Sequence, residues 1–180
     1  MSSYIAMLRG INVSGHKPIK MEALRASFET LGFAAVKTYL QSGNVVFKTV
    51  KISENGLVEK IAKKILDDFG YSVEVLVRTP AELGEILKRN PFVKQAGIEA
   101  AGLYVTFLAL PAPKGAEEIL KKLAVASEQI CVEGREVYLY CPNGYGNTKV
   151  SNAAIEKKLA LPATTRNWRT VNALSEMAQT

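Results

Sequence analysis

The sequence predicts an α+β chain of two consecutive ferredoxin-like βαββαβ halves, with a connecting helix between them and a further helix at the C-terminus. Three observations predict it. Alternating and helical periodicities follow one another in the same order twice, each run contains one short hairpin signal, and a patternless stretch from Phe92 to Gly102 separates the runs. The expected halves are residues 1–92, including the connecting helix, and residues 102–180.

In the first half, Tyr4 to Leu8 reads as a strand, followed by a loop from Arg9 to Lys20 holding Gly10, Gly15 and Pro18. Met21, Leu24, Phe28 and Leu31 recur at helical spacing, and Gly32 ends that helix. Val36 to Gln41 and Asn44 to Thr49 read as strands joined by a compact turn at Ser42-Gly43, where glycine and asparagine supply positive φ. Leu57, Ile61 and Ile65 mark an amphipathic helix stopped by Gly70, and Val73, Val75 and Val77 alternate along a half-buried strand from Ser72 to Arg78. Thr79-Pro80-Ala81-Glu82 is a capping box with proline at the first helical position; this connecting helix ends near Asn90-Pro91.

The second half repeats the order of elements without repeating residues. Leu103 to Ala109 is a strand. Pro111 and Pro113 lead into a helix with Ile119, Leu120 and Leu123 inward, supported by Glu117–Lys121 and Glu118–Lys122 pairs. Gln129 to Val132 and Glu136 to Cys141 form a hairpin across Glu133-Gly134, a register that sets Cys131 opposite Glu136. A helix from Ser151 to Leu159, a strand-like stretch from Thr164 to Trp168 and a last helix from Val171 to Met177 complete the chain. This topology carries a geometric expectation: Arg9 to Lys20 lies near Ser42-Gly43-Asn44, and Pro111 to Gly115 lies near Glu133-Gly134 and Ala163-Thr164.

Composition bounds the function classes. Hydrophobic residues at 48% and charged residues at 22% are globular values. No apolar run is long enough to span a bilayer, and the start shows neither a basic leader nor a signal-peptide core, so a cytoplasmic protein without membrane attachment is expected. Cys131 and Cys141 read as reduced, strand-packed thiols. With one histidine and no clustered cysteines, neither a metal site nor a cofactor is expected. The net charge of +6 permits an acidic partner without demanding one, and the lysines are spread over helix faces.

Three segments together resemble the domain-of-unknown-function family 1697 (DUF1697). They are Leu8-Arg9-Gly10-Ile11-Asn12-Val13-Ser14-Gly15 with the following Lys17 to Arg25, then Tyr39-Leu40-Gln41-Ser42-Gly43-Asn44-Val45-Val46-Phe47, and Ala163-Thr164-Thr165-Arg166-Asn167-Trp168. Ser151-Asn152 with Ile155-Glu156-Lys157-Lys158-Leu159 adds to the likeness, which runs from Tyr4 to about Leu174. The resemblance implies paired ferredoxin-like structures and no established biochemical role. Two positions depart from the family pattern: Ser14, where glycine is usual, and Arg169, where asparagine is usual. Serine at 14 argues against a need for unrestricted backbone freedom there.

The loop from Arg9 to Lys20 is the sharpest functional candidate. Arg9, Asn12, Gly15, Lys17 and Lys20 offer cationic and amide donors with exposed backbone N–H groups, a composition suited to cradling an anion ahead of a helix. It has neither Walker nor dinucleotide glycine spacing. Ser42, Gly43 and Asn44 are expected at the same rim, with Ser42 and Asn44 as further donors, and Arg166 and Asn167 as contributions from the second half. His16 lacks an identified orienting partner, and no nucleophile–base arrangement or carboxylate pair argues for a reaction. Asn143 to Lys149 resembles a phosphate loop only in composition and reads as a mobile connection.

The expected function is therefore binding of a small anionic ligand, with phosphate-bearing molecules among the candidates, at the loop end of the N-terminal half. The alternative is a nucleic-acid or protein-interaction module on the basic surface, with Phe47, Tyr39, Tyr138 and Tyr140 on strands that could stack bases.

Overall fold

The computed structural model describes all 180 residues. The first half runs β1 (Ser2–Leu8), α1 (Met21–Thr30), β2 (Ala34–Tyr39), β3 (Asn44–Thr49), α2 (Glu54–Phe69), β4 (Val75–Arg78) and α3 (Pro80–Arg89). The second repeats it as β5 (Leu103–Leu108), α4 (Ala116–Lys121), β6 (Gln129–Glu133), β7 (Glu136–Tyr140), α5 (Asn152–Leu159), β8 (Ala163–Asn167) and α6 (Trp168–Gln179). Two four-stranded sheets result, in the orders β2-β3-β1-β4 and β6-β7-β5-β8, with every pairing antiparallel. No helix is long and apolar enough to cross a membrane. By internal contacts the chain divides into one unit of Met1–Gly84 with Ala173–Thr180 and another of Glu85–Asn172.

In the first unit, Leu24 and Phe28 of α1 and Leu57, Ile61 and Ile65 of α2 meet Tyr4, Ala6, Leu8, Phe47 and Val77 in one apolar cluster. Three-residue and four-residue spacing puts each helix's apolar stripe on the sheet. Phe33 stacks on Phe47 with centroids 4.5 Å apart. Ile5 and Met7, on the other face of β1, are fully buried, and so are Leu76 and Arg78 of β4; the strand expected to be half-buried is covered on both faces. The last turn of α6 lies against the β2–β3 hairpin, where the Lys37 and Lys48 ammonium groups donate to Thr180 at 3.1 and 3.3 Å.

In the second unit, Ala116 and Leu120 of α4 and Ile155 and Leu159 of α5 pack on Leu108, Val137, Leu139 and Ala163. Ile119 is exposed, not inward, because α4 is only one and a half turns long and cannot bury a wide stripe. The end of α3 lies on this sheet: the Tyr138 hydroxyl donates to the Ile86 carbonyl at 2.9 Å, and Arg89 pairs with Glu133 at 3.7 Å.

Several boundaries differ from expectation. The second hairpin turns at Gly134-Arg135, so Cys131 faces Tyr138 and not Glu136; both cysteines are free thiols. The first hairpin takes four residues, Leu40 to Gly43, with positive φ at Leu40 and Gly43, whereas Asn44 is already in the strand. Trp168 opens α6, half-buried, and does not end the strand. Asn167 explains the change: its side-chain oxygen accepts the Thr170 N–H at 2.8 Å, an N-cap that ends the strand and starts the helix.

The structure also reveals a residue-level repeat that sequence comparison of the halves does not show. Ile5 faces Arg78 across β1–β4, and Val105 faces Arg166 across β5–β8, so each final strand carries a buried arginine at the same register. The next residue in each case, Thr79 or Asn167, caps the following helix. Thr79 does so reciprocally with Glu82, as the capping box requires: Thr79 N–H donates to Glu82 at 2.7 Å and Glu82 N–H to Thr79 Oγ1 at 3.2 Å.

Candidate functional site

The loop after β1 and the β2–β3 hairpin do meet at one end of the first sheet. Leu8 N–H donates to the Gly43 carbonyl at 2.8 Å and Arg9 N–H to the Glu74 carbonyl at 3.0 Å. The second unit repeats both bonds, from Leu108 to Arg135 at 2.8 Å and from Ala109 to Pro162 at 2.9 Å. The rim is thus a property of the topology, built twice.

Asn12 organises the first rim. Its side-chain amide donates to the carbonyls of Ile19, at 2.9 Å, and Gln41, at 2.8 Å, while its oxygen accepts the Ile19 N–H at 2.8 Å. One side chain therefore closes the loop on itself and ties it to the hairpin. With both amide hydrogens taken, Asn12 frames the rim and offers no donor to a ligand. Asn44 behaves alike. It is fully buried, and its amide donates to the Tyr39 carbonyl at 2.7 Å and the Ser42 hydroxyl oxygen at 2.9 Å, bracing the hairpin from inside. Gly43, at φ +81, packs so closely that a Cβ there would lie 2.7 Å from Ile11 Cδ1 and 2.9 Å from Leu8 Cβ.

Between the ends that Asn12 clamps, Val13 to His16 stand exposed, closed by the His16 N–H to the Val13 carbonyl at 2.8 Å. Gly10, Asn12, Ser14, Gly15 and Lys17 all have positive φ. Ser14 at φ 50 corrects the expectation drawn from its side chain: this position does use the left-handed region. Lys17 reaches across to the Ser72 carbonyl at 2.8 Å. Arg9 is half-buried at the base of the loop, Lys20 is exposed, and α1 begins behind it without a side-chain cap.

Arg166 and Asn167 have structural work within the second unit. The Arg166 guanidinium is buried and donates to Thr164 Oγ1 at 2.7 Å and the Thr165 carbonyl at 3.0 Å; desolvation pulls its pKa down to about 10. Asn167 is the α6 cap. The aromatic residues considered for base stacking are largely withdrawn: Phe47 and Tyr138 are buried, and Tyr140 nearly so.

Sequence reading missed a polar cluster in the second unit. Where the first sheet pairs Ala6 with Val77, the second pairs Thr106 with Thr165, and their hydroxyls lie 2.7 Å apart. Thr165 donates to Asn152 Oδ1 at 2.9 Å, and the Asn152 amide donates to the Ala163 carbonyl at 2.9 Å. The Tyr145 hydroxyl accepts the Asn152 N–H at 2.6 Å, so the segment expected to be a loose connection is anchored; burial raises the pKa of that phenol. The only sequence signal was the Ser151-Asn152 and Glu156 pattern, whose glutamate accepts the Ala163 N–H at 3.2 Å. Each group in this cluster is answered by another, and no metal-binding cluster of His, Cys, Asp or Glu occurs anywhere in the chain.

Two antiparallel four-stranded sheets, each with helices laid on it and each ending in the same pair of rim hydrogen bonds, define a duplicated α+β protein whose first rim carries the basic loop. The chain belongs to the family described as "Protein of unknown function (DUF1697)", whose model matches residues 1–138. Both N-terminal motifs fall inside that match, and Ala163 to Trp168 lies beyond it. Among solved structures the chain is similar to the conserved bacterial protein SP0830 from Streptococcus pneumoniae, at 20% identity and a TM-score of 0.71, with 98% of each chain covered. At that identity the likeness shows the fold alone. No curated protein matches the chain.

Proposed function

We propose that the loop end of the N-terminal half binds a small anionic, phosphate-bearing ligand. The observation that carries the reading is the Asn12 clamp, which holds in a fixed shape a loop whose residues include Arg9, Lys17 and Lys20. A basic segment held in one conformation loses little entropy on binding. Glu22 already stands in the first turn of α1. The cationic side chains, more than the helix end, therefore support the anion reading. Asn12, Ser42, Gly43 and Asn44 frame the rim and Gly15 supplies the exposed turn, while Arg166 and Asn167 are hydrogen-bonded within the second unit.

The same reading takes each half, 1–92 and 102–180, as a ferredoxin-like repeat, which the order β2-β3-β1-β4 and its counterpart support. Two free thiols suit a reducing, cytoplasmic setting.

The test is a thermal-shift series with inorganic phosphate, nucleotides and sugar phosphates, repeated at high salt. Stabilisation by at least one of them, reduced in Arg9→Ala and Lys20→Ala proteins, is the expected result. Stabilisation indifferent to both substitutions, or none with any anion, removes the proposal.

A further inference from the structure

The rim of the first unit carries two aliphatic side chains in water, on separate loops. Val13 and Leu40 are each 55% exposed. Exposed apolar residues scattered singly need no explanation, but these two are held together. Asn12, next to Val13, donates its amide to the carbonyl of Gln41, next to Leu40, at 2.8 Å. Leu40 has φ 58, a left-handed conformation that glycine or asparagine adopts at less cost in a hairpin turn and that is an outlier for a bulky side chain. Backbone strain and exposed apolar surface both count against folding, and their coincidence at one residue marks a position kept for contact with something else.

Positive charge follows one step behind the loop tip. Val13 and His16 form the last rung of the loop, closed by the His16 N–H on the Val13 carbonyl at 2.8 Å. Asn12 and Lys17 form the rung before it, closed by the Asn12 N–H on the Lys17 carbonyl at 3.1 Å. Lys17 holds its ammonium on the Ser72 carbonyl at 2.8 Å, and Lys20 stands exposed ahead of α1. Residues 9–20 and 40–43 contain no carboxylate; Glu74 meets the loop at its base, where its carbonyl takes the Arg9 N–H. An apolar tip with a cation one rung, about 3 Å, behind it matches the layering of an anionic bilayer surface, where phosphates lie outermost and acyl carbons beneath.

We propose that this rim docks on an anionic phospholipid surface, with Val13 and Leu40 entering the headgroup layer and Lys17 and Lys20 meeting lipid phosphates. This rests on the anion reading above and gives the anion a source. A soluble phosphate would leave both aliphatic tips in water. A nucleic acid would need flat ring faces for stacking, which Val13 and Leu40 lack. The expectation of no membrane attachment concerned spanning segments and leader sequences, and contact through loop tips needs neither.

Flotation of the full chain with lipid vesicles tests it. The protein should float with vesicles of phosphatidylglycerol and phosphatidylcholine but not with phosphatidylcholine alone, and added salt should weaken the binding. Leu40→Asn should lower vesicle affinity about tenfold without lowering Tm, because asparagine accepts the left-handed position. Val13→Ser should lower the affinity likewise. Flotation unchanged by both substitutions, equal flotation with neutral vesicles, or a Leu40→Asn protein that melts earlier than its parent would each overturn the proposal. So would an oligonucleotide bound with the same dependence on Leu40. Stabilisation by inorganic phosphate without flotation would overturn the docking and leave the anion site standing; neither flotation nor stabilisation by any anion would remove both.

Discussion

Replacing Gly43 with alanine tests how tightly the hairpin is built against the first loop. Two costs add. An L-residue at φ +81 enters the left-handed region, at about 1–2 kcal/mol. The new methyl also lies 2.7 Å from Ile11 Cδ1 and 2.9 Å from Leu8 Cβ. The isoleucine methyl can rotate away, but Leu8 Cβ is fixed to the backbone of a central strand, so the backbone must shift, an overpacking cost of about 1–3 kcal/mol. Against this, alanine restricts the unfolded chain by about 0.4–1 kcal/mol. The net loss is roughly 2–4 kcal/mol, equivalent to a fall in Tm of about 5–15 °C for a chain of this size. Gly32→Ala is the control, because Gly32 has nearly the same φ, +83, with nothing within 4 Å of its would-be Cβ. Urea denaturation of both variants separates the terms: Gly32→Ala should lose only the conformational part, about 1 kcal/mol. Equal losses in the two proteins would refute the close-packing argument.

Asn12→Ala removes two amide donors and one acceptor at once and leaves three backbone groups unanswered, a loss of about 2–3 kcal/mol by urea denaturation, with Asn12→Asp no better because its carboxylate would face two carbonyls. Glu117 accepts the Val132 N–H, which holds its carboxyl below the ordinary value of 4.5; stability from this bond is present above that value and is lost as pH falls through the lower, folded one. With a third of the side chain exposed the effect is below about 1 kcal/mol, and Glu117→Gln should flatten the acid limb of a Tm-versus-pH curve. Cys141 is buried, and desolvation pushes its pKa up to about 11, so a disulfide reagent near neutral pH should label it only as the chain unfolds. Asn152→Ala should cost about 2 kcal/mol in the same urea assay, since Thr165 and the Ala163 carbonyl lose their partner.

The element order and the meeting of the two rim segments were legible because both follow from patterning and strand connectivity. Apolar residues at helical spacing from Met21 to Leu31 and from Leu57 to Ile65 leave one way to cover a sheet, and the chain's return then fixes which loops share an end. What the side chains do at that end was not legible. Asn12 and Asn44 look like outward donors in a loop and a turn, and only their distances show that carbonyls consume them. Ser14 shows the reverse failure: its side chain argues for ordinary backbone geometry, while it takes positive φ inside the turn closed by the His16 N–H on the Val13 carbonyl. The hairpin register slipped by one residue because Glu133-Gly134 and Gly134-Arg135 are equally good turns on paper, and the pairing of Val132 with Val137 decides between them. The Thr106–Thr165 pair escaped notice because threonine is an ordinary strand residue until its neighbour across the sheet is known.

The two halves share a skeleton and divide its uses. Both keep a buried arginine and a cap at the end of the last strand, where a fault would misdirect the following helix. They differ where the skeleton is indifferent. The helix-facing pair at the centre of the sheet is Ala6–Val77 in one half and Thr106–Thr165 in the other, and only the second needs Asn152 and Tyr145 to satisfy it. The loop after the first strand is long, basic and clamped by Asn12 in one half; in the other it is short and proline-bound, with Ala112 N–H donating to the Gly134 carbonyl at 2.8 Å. A buried polar network costs stability unless every member is answered, so a saturated one fixes a single arrangement of strand and helix without leaving chemistry over. Exposed backbone in the left-handed region, as at Ser14 and Gly15, is the opposite case: it adds nothing to the core and persists only because the surrounding structure holds it. That contrast places the functional reading in the first half's loop and assigns the second half's polar residues to its architecture.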